Sequence, residues 1–230
     1  MIKTIANDAI SRSYAMPGDS FEPVIKEILA SSTYHQFKQR LASSGCPKCP
    51  ELCAGRTNIV VDRGNPSATI VVIGEAPGET EDLQGKAFVG RSGQLLDKVV
   101  ASVGLSTEND MLIINVVKCR PPANRAPKPL EAKNCFAYLR WQLNFVKPST
   151  VLLLGATAAK HLMPESKNQN MKDRVGKFFS VTDFPGVDFQ MLYHPAYLLR
   201  DPRKKTDMLE HLNVLRAHLD TAKKEKEILI

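Results

Sequence analysis

A three-layer α/β/α sandwich with a central, mainly parallel four-stranded sheet is the fold this sequence predicts. Two observations carry that reading. Short, apolar, β-branched runs alternate along the chain with segments of helical period, the signature of stacked β-α units around a parallel sheet. The chain also has 230 residues, of which 43% are hydrophobic, enough to bury one sizeable core and too few to demand two domains.

Taken in order, residues 1–40 read as an N-terminal helical extension with one amphipathic helix around 21–41, and a cysteine-rich loop follows. The main domain covers 41–222. Its first buried strand is 69–74, and a helix over 92–103 follows because Leu95, Leu96, Val99, Val100 and Val103 recur at helical spacing. The second strand is 111–117, short and β-branched. A Pro-rich loop at 121–129 then introduces a helix over 130–146. Strand 150–155, a short helix at 156–162, a last strand at 189–193 and a closing helix at 206–219 complete the domain. The charged tail 223–230 is expected to fray.

In open parallel sheets, ligands bind beyond the carboxyl ends of the strands. The segments 75–79, 115–120 and 194–200 each follow a strand, so they should converge on one cleft.

Charge narrows the partner. Lys and Arg number 31 against 24 Asp and Glu, a formal +7, which favours a polyanion such as nucleic acid over an acidic protein or a neutral metabolite. The start of the chain lacks a secretory pattern and no long apolar run exists, so a cytoplasmic protein without a membrane partner is expected. In a reducing compartment, five cysteines read as metal ligands, reactive thiols or core residues rather than a disulfide framework.

Cys46-Pro-Lys-Cys49 lets one loop offer two thiolates to one metal, and Cys119 with Cys135 form a looser second pair. That pattern fits an iron-sulfur cluster or an irregular zinc site, with Cys53 as a spare thiol. Buried, unliganded thiols are the plainer alternative. Gly74-Glu-Ala-Pro-Gly78 forces a tight turn after a buried strand and lets a ligand approach the backbone. Around it, Glu75, Glu79, Glu81 and Asp82 crowd carboxylates that could activate a water, or simply cap a helix. Gly90-Arg-Ser92-Gly93 opens a helix whose free N-H groups could hold a phosphate, unless Ser92 only caps it. Phe88 can be core or can stack on a base. Asn115, polar in an apolar strand, must find a partner in the protein or in a ligand. His194 poses the same choice. Lys118, Arg120, Arg125, Lys128 and Lys133 form the densest basic run, placed as phosphate contacts would require.

Read together, Cys46-x2-Cys49, Gly74-Glu-Ala-Pro-Gly78, Gly85-Lys-Ala-Phe-Val-Gly-Arg-Ser-Gly-Gln94, Asn115-Val-Val-Lys-Cys-Arg-Pro-Pro122, Cys135 and His194-Pro-Ala-Tyr-Leu-Leu-Arg200 closely resemble the family 4, iron-sulfur uracil-DNA glycosylases. The resemblance spans about 46–205. It implies a monofunctional enzyme, expected to act as a monomer, that flips uracil out of uracil-containing DNA and hydrolyses its glycosidic bond, leaving an abasic site. It implies a structural [4Fe-4S] cluster on Cys46, Cys49, Cys119 and Cys135. By the same resemblance, Phe88 stacks on the uracil, Asn115 reads its polar edge and the Gly78 backbone lies against the base. His194 stabilises charge on O2, and Glu75, with Glu81 as second candidate, positions water or supports the sugar. Ser92, Gly93, Lys118, Arg120 and Arg200 hold the DNA backbone, and Leu198 or Leu199 is the wedge that fills the vacated stack.

Three departures stand out. Ala76 occupies a position where the glycosylases best known for water activation carry Asp. Residues 121–130 contain no His, unlike a related branch that traps the sugar covalently, so ordinary hydrolysis is expected. Ala87 replaces a frequent Pro. The competing expectation is a metal-stapled nucleic-acid-binding module without catalysis, and a third is a zinc-bearing nucleotide hydrolase.

Overall fold

A computed structural model describes residues 21–162 and 174–228. Its centre is a sheet of order β1-β3-β2-β4-β6-β5, made of β1 (Arg63–Gly64), β2 (Ile70–Gly74), β3 (Met111–Asn115), β4 (Thr150–Leu154), β5 (Phe178–Ser180) and β6 (Asp188–Leu192). β3, β2, β4 and β6 run parallel, in the four places where apolar runs predict strands. The sheet has six strands rather than four. Both additions are antiparallel edges, β1 on β3 and β5 on β6. At two and three residues, they are too short to show any period.

The four inner strands are hydrophobic at almost every position because helices cover both faces. Alternation still decides the side. Val71, Ile73, Leu112, Ile114, Val151 and Leu153 point into one core with Leu139, Leu143, Ala158 and Ala159. Their neighbours Ile70, Val72, Met111, Ile113, Leu152 and Leu154 point into the other, with Leu96, Val99, Val100, Met208, Leu212 and Leu215. The three-layer sandwich is therefore built by period-two strands feeding two helix layers.

The helices are α1 (Glu22–Leu29), α2 (Tyr34–Ser43), α3 (Pro50–Gly55), α4 (Glu79–Gln84), α5 (Arg91–Ala101), α6 (Pro129–Val146), α7 (Gly155–Leu162), α8 (Pro195–Arg200) and α9 (Lys204–Ile228). Where one helix is expected over 21–41 there are two, because Thr33 takes extended geometry and its hydroxyl accepts the Gln36 amide as an N-cap. This helical pair is packed into the body, with Phe37 stacked on Trp141 of α6 at 3.9 Å between ring centroids. Residues 1–20 of the expected extension lie outside the described residues. Helix α9 continues through the charged tail to Ile228. Among the described residues no helix is long and apolar enough to cross a membrane.

Candidate active site

The three strand-end segments do converge. They line a cavity of about 730 Å³ at the carboxyl edge of the sheet, walled by Glu75, Gly78, Glu81, Phe88, Ser92, Asn115, His194, Tyr197 and Arg200 among others. Gly74 ends β2 directly beside Asn115 at the end of β3. A Cβ on Gly74 would lie 2.5 Å from both Asn115 Oδ1 and the Phe88 ring. Only a residue without a side chain lets these two groups share the floor.

Asn115 is 1% exposed, and neither its Nδ2 nor its Oδ1 has a partner. Buried amides are almost always paired, and leaving one bare costs about 1–3 kcal/mol per group. A bare donor and acceptor side by side in a cavity wall form a reading head for a complementary donor-acceptor edge.

Phe88 is buried and holds a left-handed backbone with φ 53°. For a bulky side chain that geometry is a true outlier, with a cost of about 1–3 kcal/mol. Its ring stands 5.7 Å from the His194 ring, inclined by 40°. His194 caps the N-terminus of α8, its Nδ1 accepting the Ala196 amide at 3.1 Å. A neutral ring so held carries its proton on Nε2. Burial pulls the His194 pKa down to about 4, the Arg200 charge adds to that, and Glu81 opposes it. The imidazole is thus a neutral donor at pH 7. Gly155, at φ 84°, makes room behind it, since a Cβ there would come within 3.1 Å of the His194 Cβ.

The two carboxylates separate by their partners. Glu81 Oε1 accepts the Gly90 amide at 2.7 Å, tying α4 to the start of α5. Glu75 lines the cavity, and among the described residues its carboxylate makes no hydrogen bond or ion pair, only its backbone carbonyl accepting the Val117 amide at 3.2 Å. It is the carboxylate left uncommitted.

Several residues expected to face DNA stand differently. Leu198 is fully buried in the core while its neighbour Leu199 is 38% exposed, so only Leu199 is available as a wedge. Arg200 is exposed at the cavity rim, and Ser92 lines the wall. Gly93 lies buried under the Phe88 carbonyl, which a Cβ would meet at 1.7 Å. Lys118 turns inward. It is 1% exposed, and its ammonium donates to the Asn115 carbonyl at 2.9 Å and to Gln142 Oε1 at 2.6 Å. Desolvation pulls its pKa down to about 8. A lysine so enclosed braces the interior and cannot meet a phosphate.

The rest of the basic run is largely ion-paired. Arg120 pairs with Glu79 at 3.5 Å, Arg125 with Glu131 at 2.7 Å and Glu51 at 2.9 Å, and Lys128 with Glu51.

All five cysteines are free thiols. Cys119 is buried in a third apolar cluster with Phe37, Leu52 and Tyr138, and Cys46, Cys49 and Cys135 pack against it. Donors aim at these sulfurs, Arg56 Nη1 at Cys119 Sγ (3.3 Å) and Asn134 Nδ2 at Cys49 Sγ (3.7 Å). Burial pushes the Cys119 thiol up to about 11 and raises Cys49 and Cys135 as well. Thiolates here therefore need a positive partner. Among the described residues no three His, Cys, Asp or Glu side chains stand close enough to hold a single metal ion.

Sequence reasoning missed Gly155 and the inward turn of Lys118, and read Gly74 only as part of a tight turn open to a ligand. The strand-end position of both glycines was visible, but what presses on them is a tertiary fact.

Comparison with known proteins places similar chains beside this site. Residues 61–216 match the family model described as the uracil DNA glycosylase superfamily. A type-4 uracil-DNA glycosylase of Thermotoga maritima is 40% identical over 164 residues, covering 68% of this chain and 79% of its own. The type-4 enzyme of Saccharolobus solfataricus is 41% identical over 164 residues, covering 68% of this chain and 74% of its own. That of Archaeoglobus fulgidus is 36% identical over 192 residues, covering 82% and 88%.

Proposed function

The chain belongs to the uracil DNA glycosylase superfamily and, within it, to the type-4 uracil-DNA glycosylases, and we propose that its strand-end cavity excises uracil from DNA as a monofunctional hydrolase. Reaching the glycosidic bond requires the deoxyuridine to leave the base stack. Inside the cavity, the Phe88 ring supplies the face on which the pyrimidine lies, and Asn115 reads its edge. Uracil offers an N3-H donor beside the O4 acceptor, which match the bare Oδ1 and Nδ2. Cytosine inverts both. In the orientation shown, each inversion sets one Asn115 atom against a like group, and that penalty favours uracil.

As the C1′–N1 bond breaks, its electron pair leaves with the base, and negative charge spreads to O2. A neutral Nε2-H of His194 donates to that oxygen more strongly as the charge grows, which is differential stabilisation of the transition state. Glu75, uncommitted in the cavity wall, orients the water that adds to C1′ and supports the electron-poor sugar. Glu81 holds the loop geometry. Leu199 fills the gap left in the stack and Arg200 grips the adjacent phosphate.

Cys46, Cys49, Cys119 and Cys135 are the residues that would hold a [4Fe-4S] cluster, which supplies a structural staple when bound. Four free thiols gathered in one apolar cluster, with Arg56 and Asn134 donating to sulfur, support that reading. No cage of single-ion size is needed, since each iron takes one thiolate.

The observation that carries the proposal is the pair of unpartnered atoms on Asn115 in the cavity wall. Its test is release of free uracil from an oligonucleotide with one deoxyuridine. His194→Ala should lower the single-turnover rate by about 10²- to 10³-fold. Unchanged release would remove His194 from the chemistry. Non-catalytic DNA binding, the competing expectation, would show no release by the unaltered chain.

A further inference from the structure

We propose that Arg63 is a positioning residue for base recognition, fixing the Phe88 carbonyl and, through it, the left-handed backbone that delivers the Phe88 ring to the cavity. The inference rests on Phe88 as the stacking surface. Four observations support it.

Arg63 is 7% exposed and is not among the residues that line the cavity. An arginine so deeply placed is costly unless its charge is paired. Its Nη1 donates to the carbonyl of Phe88 and Nη2 to Asp97 Oδ1, while Nε lies within ion-pair range of Glu108 Oε1, 2.9 Å away, without a hydrogen bond to it. Asp97 is itself held by the Thr107 hydroxyl at 2.8 Å. The guanidinium is thus anchored on one side and spends its backbone contact on one residue.

That residue is one the local chain would not hold by itself. Phe88 has φ 53° where an L side chain rarely rests. The first turn of α5 passes so close to the same carbonyl that only glycine fits at position 93. Arg63 therefore holds a carbonyl for which Gly93 leaves the room.

The frame also links the two recognition groups. Arg63 sits on β1 in register with Ile113 of β3, and β3 ends at Asn115. One strand thus sets the position of the edge-reading amide and, through its neighbour, of the stacking ring. Adjacent Ala87 is tied to the same edge, its amide donating to the Asp62 carbonyl at 3.3 Å.

The experiment compares Arg63→Lys, Phe88→Ala and the double variant in the full chain with its native cofactor content. Three quantities are read: inhibition by free uracil, single-turnover uracil release, and affinity for an oligonucleotide carrying a tetrahydrofuran abasic analogue, which offers no base to stack. Lysine keeps the charge but cannot hold Asp97 and the Phe88 carbonyl together. Arg63→Lys should weaken inhibition by uracil about ten-fold and slow release about ten- to hundred-fold, with abasic-analogue affinity within about two-fold of wild type. In the double variant the two losses should not multiply, because both act through one ring.

Equal losses on uracil and on the abasic analogue would reduce Arg63 to a general stabiliser and overturn the inference. So would multiplicative losses, or an unaffected Arg63→Lys beside a crippled Phe88→Ala. An unaffected Phe88→Ala would overturn the stacking reading itself, and this inference with it. Should Arg63→Lys not fold, Asp97→Asn loosens the same guanidinium without removing it and must give the same pattern at smaller size.

Discussion

Asn115 and Gln142 carry the same carboxamide, both are buried, and a single lysine touches both residues. Their surroundings are opposite. In the layer beneath α6, Gln142 has its Nε2 shared by the Tyr34 hydroxyl at 2.8 Å and the Val61 carbonyl at 3.3 Å, and its Oε1 taken by Lys118. At the strand-end cavity, the Asn115 side chain has nothing, and only its backbone carbonyl receives Lys118. Of these two amides, the one that holds elements together is satisfied and the one that faces the cavity is left open. Stability and recognition use identical chemistry, and the difference lies in which partner is missing.

The sharpest way to break that comparison is to truncate each amide. Asn115→Ala should lower uracil release by about 10³-fold, as loss of a key preorganised group does, while urea unfolding stays within about 1 kcal/mol of wild type because no protein hydrogen bond is lost. Gln142→Ala should do the reverse. It leaves the Lys118 ammonium half-satisfied, so stability should fall by about 2–4 kcal/mol, with release per folded molecule down less than about ten-fold. Equal destabilisation by both would make Asn115 a structural residue.

A smaller effect concerns His194, another group of the cavity that burial keeps uncharged. Its folded pKa, near 4, lies below the ordinary 6.5. Between those values the unfolded chain binds more protons, so this residue's share of stability is complete above about pH 6.5 and is lost as pH falls toward 4. From pH 7 to pH 5, wild type should lose about 1–2 kcal/mol more than His194→Ala in denaturant unfolding. Equal losses would mean a ring that titrates normally. Smallest of all, Leu199→Ala should slow excision from duplex DNA about five-fold and barely change it on single strands, where no stack resists extrusion.

How much of this was legible in the sequence depends on what each residue needed. The four inner strands announced themselves as β-branched runs, and their ends nominated the cavity, because topology carries Glu75, Asn115 and His194 to one edge whatever the side chains do. The edge strands at Arg63 and Phe178 stayed hidden, being too short to have a period. Direction was equally hidden. Lys118 lies in a basic run and points inward, while Leu198 and Leu199 are chemically identical and only packing separates them. The basic run likewise gave no hint that Glu51, Glu79 and Glu131 would fold against it.

That pair of leucines has a mechanical side. Prying a nucleotide from a duplex pushes back on whatever does the prying, and a tip on a floppy loop would simply recoil. The proposed tip, Leu199, is joined by one peptide unit to Leu198, which is buried in one core cluster with Leu154, Leu192, Met208 and Leu212. On that proposal the recoil passes directly into a buried core, and the short helix α8 would work as a chisel whose shank is set in the body of the protein.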